Sequence, residues 1–311
     1  MSGLVVKAQS GFFTVETAEG ERFICQIPGR LKKEKQDTDL VAVGDFVSCT
    51  VEPDGSGIID NVAERKSVLS RARPASDKRS ILSDQEQVWI ANPDQVLFVF
   101  SIRRPSPSLR KLDRFLVVAE MNEIEAVVCV NKVDLADVGE AEQVFGNYAA
   151  IGYPVIYTSA IRGDGLLELK ECLQGKISVL TGSSGVGKTS LLNAIQPGLG
   201  MRVKAVSEAT EKGLHTTRHV ELVSLETGGY VGDTPGIRSL AVFDLEPAEL
   251  DGYFREIAPL VARCQFSDCT HRHEPKCAVR AAVDEGTVSA HRYDSYLRLR
   301  EEHQALEDSA Y

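Results

Sequence analysis

The sequence predicts an α/β fold, a sheet of buried strands alternating with helices, set between a small N-terminal β-barrel and a mainly helical C-terminal segment. Three observations predict it. Short alternating strands separated by turn signals give way at about Val68 to apolar strands that alternate with helical stretches. A glycine-rich turn, Gly182 to Thr189, joins one of those strands to a helix. Three of the seven cysteines crowd between Cys264 and Cys277. At about 150 residues per domain, 311 residues suit two domains, or three if the extra ones are small. The texture divides the chain at 1–67, 68–242 and 243–311.

The first part holds LVVKAQSGFFTVET, ERFICQI, VGDFVSCTVE and GIIDNV, separated by turn signals such as Ala18-Glu19-Gly20 and Pro53-Asp54-Gly55. About five strands in so short a stretch suit an OB-fold, a common nucleic-acid-binding module, although an SH3-like barrel would read much the same. In the second part the expected strands are QVLFVFS, EAVVCVN, PVIYTS, KISVLTG, HVELVSL and GYVGD. The expected helices lie near Leu109 to Met121, Glu140 to Ala150, Leu166 to Leu173 and Lys188 to Ile195. The last part carries the Cys/His cluster and then the polar, helix-prone HRYDSYLRLREEHQALEDSAY.

Composition narrows the function. Hydrophobic residues at 43% and charged residues at 26% exclude a wholly disordered or fibrous chain. The longest charge-free run, Gln143 to Ile161, is broken by Asn147, Gly152 and Pro154, so no membrane span is expected. The opening MSGLVVKAQS lacks a basic region followed by an apolar core, and a cytoplasmic protein is expected. A net charge of −10 argues against binding nucleic acid, DNA included, through overall positive charge. Local basic clusters remain: Arg65, Lys66, Arg71, Arg73, Lys78 and Arg79, then Arg103, Arg104, Arg110, Lys111 and Arg114. Such clusters are either solvated faces or polyanion-facing surfaces.

The chemistry begins at Gly182-Ser183-Ser184-Gly185-Val186-Gly187-Lys188-Thr189, with Ser190 following, which fits G-x-x-x-x-G-K-[ST] between a strand and a helix. Glycines let backbone amides turn toward a phosphate, the helix N-terminus adds its dipole, Lys188 neutralises β and γ oxygens, and Thr189 is placed to ligate Mg²⁺. The base is read elsewhere, at Asn131-Lys132-Val133-Asp134. The Asp134 carboxylate accepts from both N1–H and the N2 amine of guanine, a pattern adenine cannot satisfy. Asn131 braces the loop and the Lys132 stem lies over the ring. Ser159 and Ala160, in Thr158-Ser159-Ala160, are placed where a backbone amide meets guanine O6.

Two further segments suit a nucleotide switch. Asp233-Thr234-Pro235-Gly236 follows the strand GYVGD, with Asp233 expected to hold Mg²⁺ through water and the Gly236 amide to meet the γ-phosphate. In Gly213-Leu214-His215-Thr216-Thr217, either Thr216 or Thr217 completes the metal shell when triphosphate is present. The cluster Cys264-x4-Cys269-x-His271-x5-Cys277 offers three thiolates and one imidazole, the donor set of a closed structural Zn²⁺ site, with His273 as a rival ligand.

These motifs resemble those of the TRAFAC GTPases, but in the chain order NKVD, TSA, GSSGVGKT, HTT, DTPG, which resembles the circularly permuted members. The flanking barrel and Cys/His cluster narrow the resemblance to the ribosome small-subunit-dependent GTPase A (RsgA) family. It implies a three-part, monomeric GTP hydrolase that assists late maturation of the 30S subunit, binds 16S rRNA, is stimulated by that subunit, and carries one Zn²⁺. Ile237 stands after Gly236, where many small GTPases place a water-orienting glutamine. The family pattern offers His215 as the internal catalytic candidate. The usual G-R-H-T-T-T run reads Gly213-Leu214-His215-Thr216-Thr217-Arg218, without its arginine and third threonine. Ile237 also favours a second reading, a nucleotide-switched RNA-binding module with negligible hydrolysis.

Overall fold

The computed structural model describes residues 1–28, 40–72, 86–200, 221–233 and 245–310. The barrel consists of β1 (Ser2–Gln9), β2 (Phe12–Glu16), β3 (Arg22–Gln26), β4 (Phe46–Val51) and β5 (Gly57–Val62). It closes in the order β1-β2-β3-β5-β4, with β3 and β5 parallel and the other pairs antiparallel. That is the Greek-key closure of an OB-type barrel rather than a simple meander. Alternation places Val5, Phe13, Val15, Cys25, Val47, Cys49 and Ile59 inside. The β1–β2 turn is Ser10-Gly11, both at positive φ, as a two-residue hairpin loop requires.

Next comes an element absent from the sequence reading, the antiparallel hairpin β6 (Val68–Ala72) and β7 (Glu86–Ala91). Each strand is too short to show a period by itself. The hairpin docks on the barrel: Ala91 N–H donates to the Val43 carbonyl at 2.8 Å. Gly44, at φ +91°, is required there, because a Cβ would stand 1.9 Å from the Ala91 oxygen.

The central sheet holds β8 (Gln95–Ser101), β9 (Glu125–Asn131), β10 (Val155–Tyr157), β11 (Ile177–Thr181), β12 (Val223–Ser224) and β13 (Tyr230–Asp233), in the order β10-β9-β8-β11-β13-β12. All pairs are parallel except β12–β13. Its helices are α1 (Leu109–Met121), α2 (Glu140–Ala150), α3 (Leu166–Leu173) and α4 (Lys188–Ile195). Both faces of β8 are covered: Val96, Phe98 and Phe100 join the core under α1 and α2, while Leu97 and Val99 join the core under α3 and α4. Among the described residues of the expected strand HVELVSL, Val223–Ser224 pairs in the sheet as β12. Its Leu222 N–H instead donates to Val6 of β1 at 2.8 Å, so this edge leaves the sheet for the barrel.

After a 3-10 turn (Leu250–Tyr253), the C-terminal part comprises α5 (Ala258–Val261), α6 (Ala278–Asp284) and the long α7 (Ala290–Ala310). The α7 helix lies on α1 through a buried charge cluster. Arg292, 1% exposed, donates to Asp113 at 2.9 Å and to Glu256 at 2.7 Å, and the Tyr148 hydroxyl donates to Asp113 at 2.7 Å. Neighbouring carboxylates hold the guanidinium charged against the desolvation of burial. Among the described residues no helix is long and apolar enough to cross a membrane.

Candidate functional site

Parallel strands place their C-terminal ends on one edge of the sheet, whatever the chain order. Because β11 lies between β8 and β13, with β9 beyond β8, the Gly182 turn, the NKVD loop and Asp233 all fall on that edge.

The phosphate-type loop runs from β11 into α4. Gly182 packs so tightly against β8 that a Cβ would stand 2.2 Å from the Val99 carbonyl. Gly185 and Gly187 adopt φ of +83° and +99°, conformations that turn the backbone before the helix. Lys188 Nζ, half-buried, donates to the Gly182 carbonyl at 2.8 Å, so its ammonium lies over the loop. Thr189 is half-buried in the first helical turn, Ser190 is exposed, and Ser183 accepts from Lys111 Nζ of α1 at 3.2 Å. Lys111 is a neighbour of this loop that motif reading missed.

The base-side loop meets the phosphate-side loop through Asn131. Its side chain, 1% exposed, donates from Nδ2 to the Val186 carbonyl at 2.8 Å, and its Oδ1 accepts from the Thr158 hydroxyl at 3.3 Å. Lys132 sits at φ +64° and hydrogen-bonds to the Arg104 and Gly185 carbonyls. Asp134 is half-buried, and one carboxylate oxygen, Oδ1, accepts from the buried Ser159 hydroxyl at 2.6 Å. Ser159 Oγ in turn accepts from the Arg162 N–H at 3.1 Å, and Ala160 is half-buried beside it. Three separate chain segments are therefore locked into one constellation.

Asp233 ends β13, where its backbone pairs with Leu180, next to the phosphate loop. His215, Thr216, Thr217, Gly236 and Ile237 lie outside the described residues.

At the other end of the chain, Cys264, Cys269, His271 and Cys277 bring their ligand atoms within 4.8 Å of one another. Cys264 Sγ lies 4.0 Å from Cys277 Sγ, and His271 Nδ1 lies 3.6 and 3.3 Å from the Cys264 and Cys277 sulfurs. With Zn–S near 2.3 Å, a tetrahedron has edges of roughly 3.5–3.8 Å, so the spacing fits one Zn²⁺. His271 is fully buried, and its Nε2 faces Asp251 Oδ2 at 3.1 Å, the orientation that leaves Nδ1 for a metal. Burial and the neighbouring thiols push the Cys269 thiol up, against backbone donation at His271. His273 is exposed and outside the group. Its N–H, with those of Thr270 and Arg272, is held by the Glu274 carboxylate. Burial raises that carboxyl, but these bonds and the Thr270 hydroxyl outweigh it and hold it well below the usual range. Neither Asp251 nor Glu274 was legible as a supporting group, because only the fold brings them to the cluster.

Four members of the basic clusters pair within the fold: Arg65 with buried Asp45 at 2.8 Å, Arg103 with Glu140 at 2.7 Å, Arg110 with Asp294 at 3.2 Å, and Arg114 with Glu302. Lys66 keeps no carboxylate partner among the described residues. Arg73, Lys78 and Arg79 lie outside them.

Two family models match the chain, one described as RsgA GTPase over residues 62–243 and one as RsgA N-terminal domain over residues 2–59. A curated relative from Thermotoga maritima, "Small ribosomal subunit biogenesis GTPase RsgA", is 42% identical over 304 residues, covering 96% of this chain and 95% of the relative. One of the same name from Gemmatimonas aurantiaca is 42% identical over 303 residues, covering 97% of each. Among solved structures, YjeQ from Thermotoga maritima superposes with a TM-score of 0.78 at 40% identity over 97% of each chain. YloQ, described as a circularly permuted GTPase, superposes with a TM-score of 0.74 at 34% identity, over 98% of this chain and 95% of that one.

Proposed function

The chain belongs to the RsgA GTPase family, and from that premise we propose how its residues serve a GTPase that acts in biogenesis of the small ribosomal subunit. Family membership carries guanine nucleotide and Mg²⁺ with it.

The observation that carries the assignment of residues is the Asn131 bridge between the phosphate-side and base-side loops. In this reading Gly182 to Ser190 wraps the phosphates, with Lys188 leaving the Gly182 carbonyl for the β and γ oxygens. Asp134 receives the guanine N1–H and N2 amine, with Ser159 fixing its other lone pairs. The Ser159–Ala160 backbone meets O6, and the Lys132 stem covers the ring. Thr189, Asp233 and Thr216 or Thr217 hold Mg²⁺, which screens the charge of the phosphates. The Gly236 amide meets the γ-phosphate, and His215 orients the attacking water in place of the apolar Ile237. Cys264, Cys269, His271 and Cys277 hold one structural Zn²⁺. The working units are a barrel at 1–67, the permuted nucleotide domain at 68–242 and the zinc-bearing part at 243–311.

The proposed partner is the 30S subunit through its 16S rRNA, approached by a monomer in the cytoplasm, with neither DNA nor membrane involved. Association through phosphates weakens steeply with salt. Competition against labelled GTP tests the nucleotide assignment: GDP displaces it and ATP does not. Co-sedimentation with small and with large subunits tests the partner: retention by small subunits alone is expected, and retention by neither overturns it. Ile237 favours one further reading, in which nucleotide occupancy alone switches binding; subunit retention with no turnover selects it.

A further inference from the structure

A cavity of about 550 Å³ opens at the seam between the barrel and the central sheet, at the N-terminal ends of β8, β11 and β13 and so at the edge opposite the nucleotide loops. Its inner wall is a latch between the two parts: the Tyr230 hydroxyl donates to Glu16 Oε1 at 2.9 Å, while Arg22 holds Oε2 at 2.6 Å. That carboxylate is neutralised within the fold.

The groups left over define what the cavity takes. Phe46, first residue of β4, is 50% exposed; Phe12, Ile24 and Val51 are exposed elsewhere on the barrel, but of these four Phe46 alone lines the cavity. Lys66 on the lining has no carboxylate partner among the described residues. Asp94 spends Oδ2 on the Ile177 N–H at 2.7 Å, and its Oδ1 has no partner among the described residues. An aromatic face, one cation and one acceptor match a planar ring that carries an amine and is joined to an anion, which is the composition of a nucleotide. The space exceeds one nucleotide. Ser2, Gly3 and Phe46 also line a second cavity of about 250 Å³ that continues over the barrel edge to Asn61. A groove running past the ring on one side suits a strand rather than a free mononucleotide. With a net charge of −10, contact with RNA must be local rather than diffuse.

We propose that this seam cavity holds one unstacked nucleotide of a single-stranded RNA segment, its base against Phe46, its phosphate beside Lys66 and its exocyclic amine toward Asp94. The proposal rests on the reading that the chain docks on ribosomal RNA, and it places one contact of that docking between the two parts. Base stacking on an aromatic is sequence-tolerant, so the Asp94 acceptor supplies the preference, for adenine, cytosine or guanine over uracil.

The test uses the full chain with Phe46→Leu, Phe46→Trp and Lys66→Met, all at solvent-facing positions. Small-subunit affinity is measured at several salt concentrations, with GTP affinity as the control. Phe46→Leu is expected to weaken subunit binding roughly tenfold and Phe46→Trp to retain it, since only the aromatic face matters. Lys66→Met lowers the salt slope by about one. GTP affinity stays unchanged in all three. Separately, the tryptophan fluorescence of Phe46→Trp is titrated with tetracytidylate, tetrauridylate and cytidine monophosphate. Quenching by tetracytidylate ahead of tetrauridylate supports the site. Equal potency of the monophosphate, or wild-type subunit affinity in Phe46→Leu, overturns it. If the wild-type chain fails to bind small subunits, the docking reading falls, and the oligonucleotide titration still decides the cavity.

Discussion

Asn131 Nδ2 lies 2.8 Å from the Val186 carbonyl, tying the loop that follows β9 to the loop that follows β11. The same amide stands 2.4 Å from where a Cβ on Gly187 would be, so the contact depends on glycine. Gly187→Ala forces Asn131 away at a backbone φ of +99° and disturbs base and phosphate contacts together. Loss of GTP binding by at least roughly a hundredfold is expected. Equilibrium binding of a fluorescent GTP analogue, with circular dichroism as the fold control, checks this.

Asp134 has one oxygen on Ser159 and faces the proposed base with the rest of its carboxylate. Asp134→Asn replaces an acceptor of two N–H groups by an amide that donates, which suits a base carrying a carbonyl at C2. Preference should therefore move from guanosine toward xanthosine triphosphate. Competition between the two nucleotides reads the change, and unaltered guanosine preference would remove Asp134 from the base site.

Zinc should co-purify at one equivalent per chain, measured by metal analysis of protein prepared without added metal. Less than about half an equivalent contradicts the structural site. Thiols must lose protons to bind, so occupancy falls as pH falls, and strong chelators lower the thermal midpoint most at acid pH. Asp251→Asn, which weakens the hydrogen bond that orients His271, should lower zinc affinity roughly 10- to 100-fold while leaving the four ligands in place.

Asp113 and Arg292 are both buried; Arg292 donates to Asp113 and Glu256, and Asp113 also accepts from Tyr148 and Ser295. Removing one partner strands charge: Arg292→Met alone should cost about 3–5 kcal/mol, whereas adding Asp113→Asn and Glu256→Gln, which removes the stranded charges and keeps an acceptor for Tyr148 and Ser295, should recover part of it. Chemical denaturation of the single and triple variants checks this.

Much of this molecule was legible before its structure. Strands such as QVLFVFS are continuous apolar runs because both faces are covered, and their motifs fix the function class. The hairpin β6–β7 escaped notice because its stability comes from docking on Gly44 and Val43, far away in sequence. At the sheet edge Leu222 bonds to the barrel, a partner that the strand pattern of HVELVSL does not reveal. The basic clusters suited either a solvated face or a polyanion-facing surface, and Arg65, Arg103, Arg110 and Arg114 pair with carboxylates that only folding brings near. Lys111 and Asp251 carried no motif at all.

The most direct measurement is steady-state GTP turnover by the isolated chain, with and without purified small ribosomal subunits, with large subunits as control. The account predicts slow turnover alone, strong stimulation by small subunits only, and loss of that stimulation in His215→Ala. Turnover indifferent to small subunits, with GTP binding intact, would contradict a subunit-triggered GTPase.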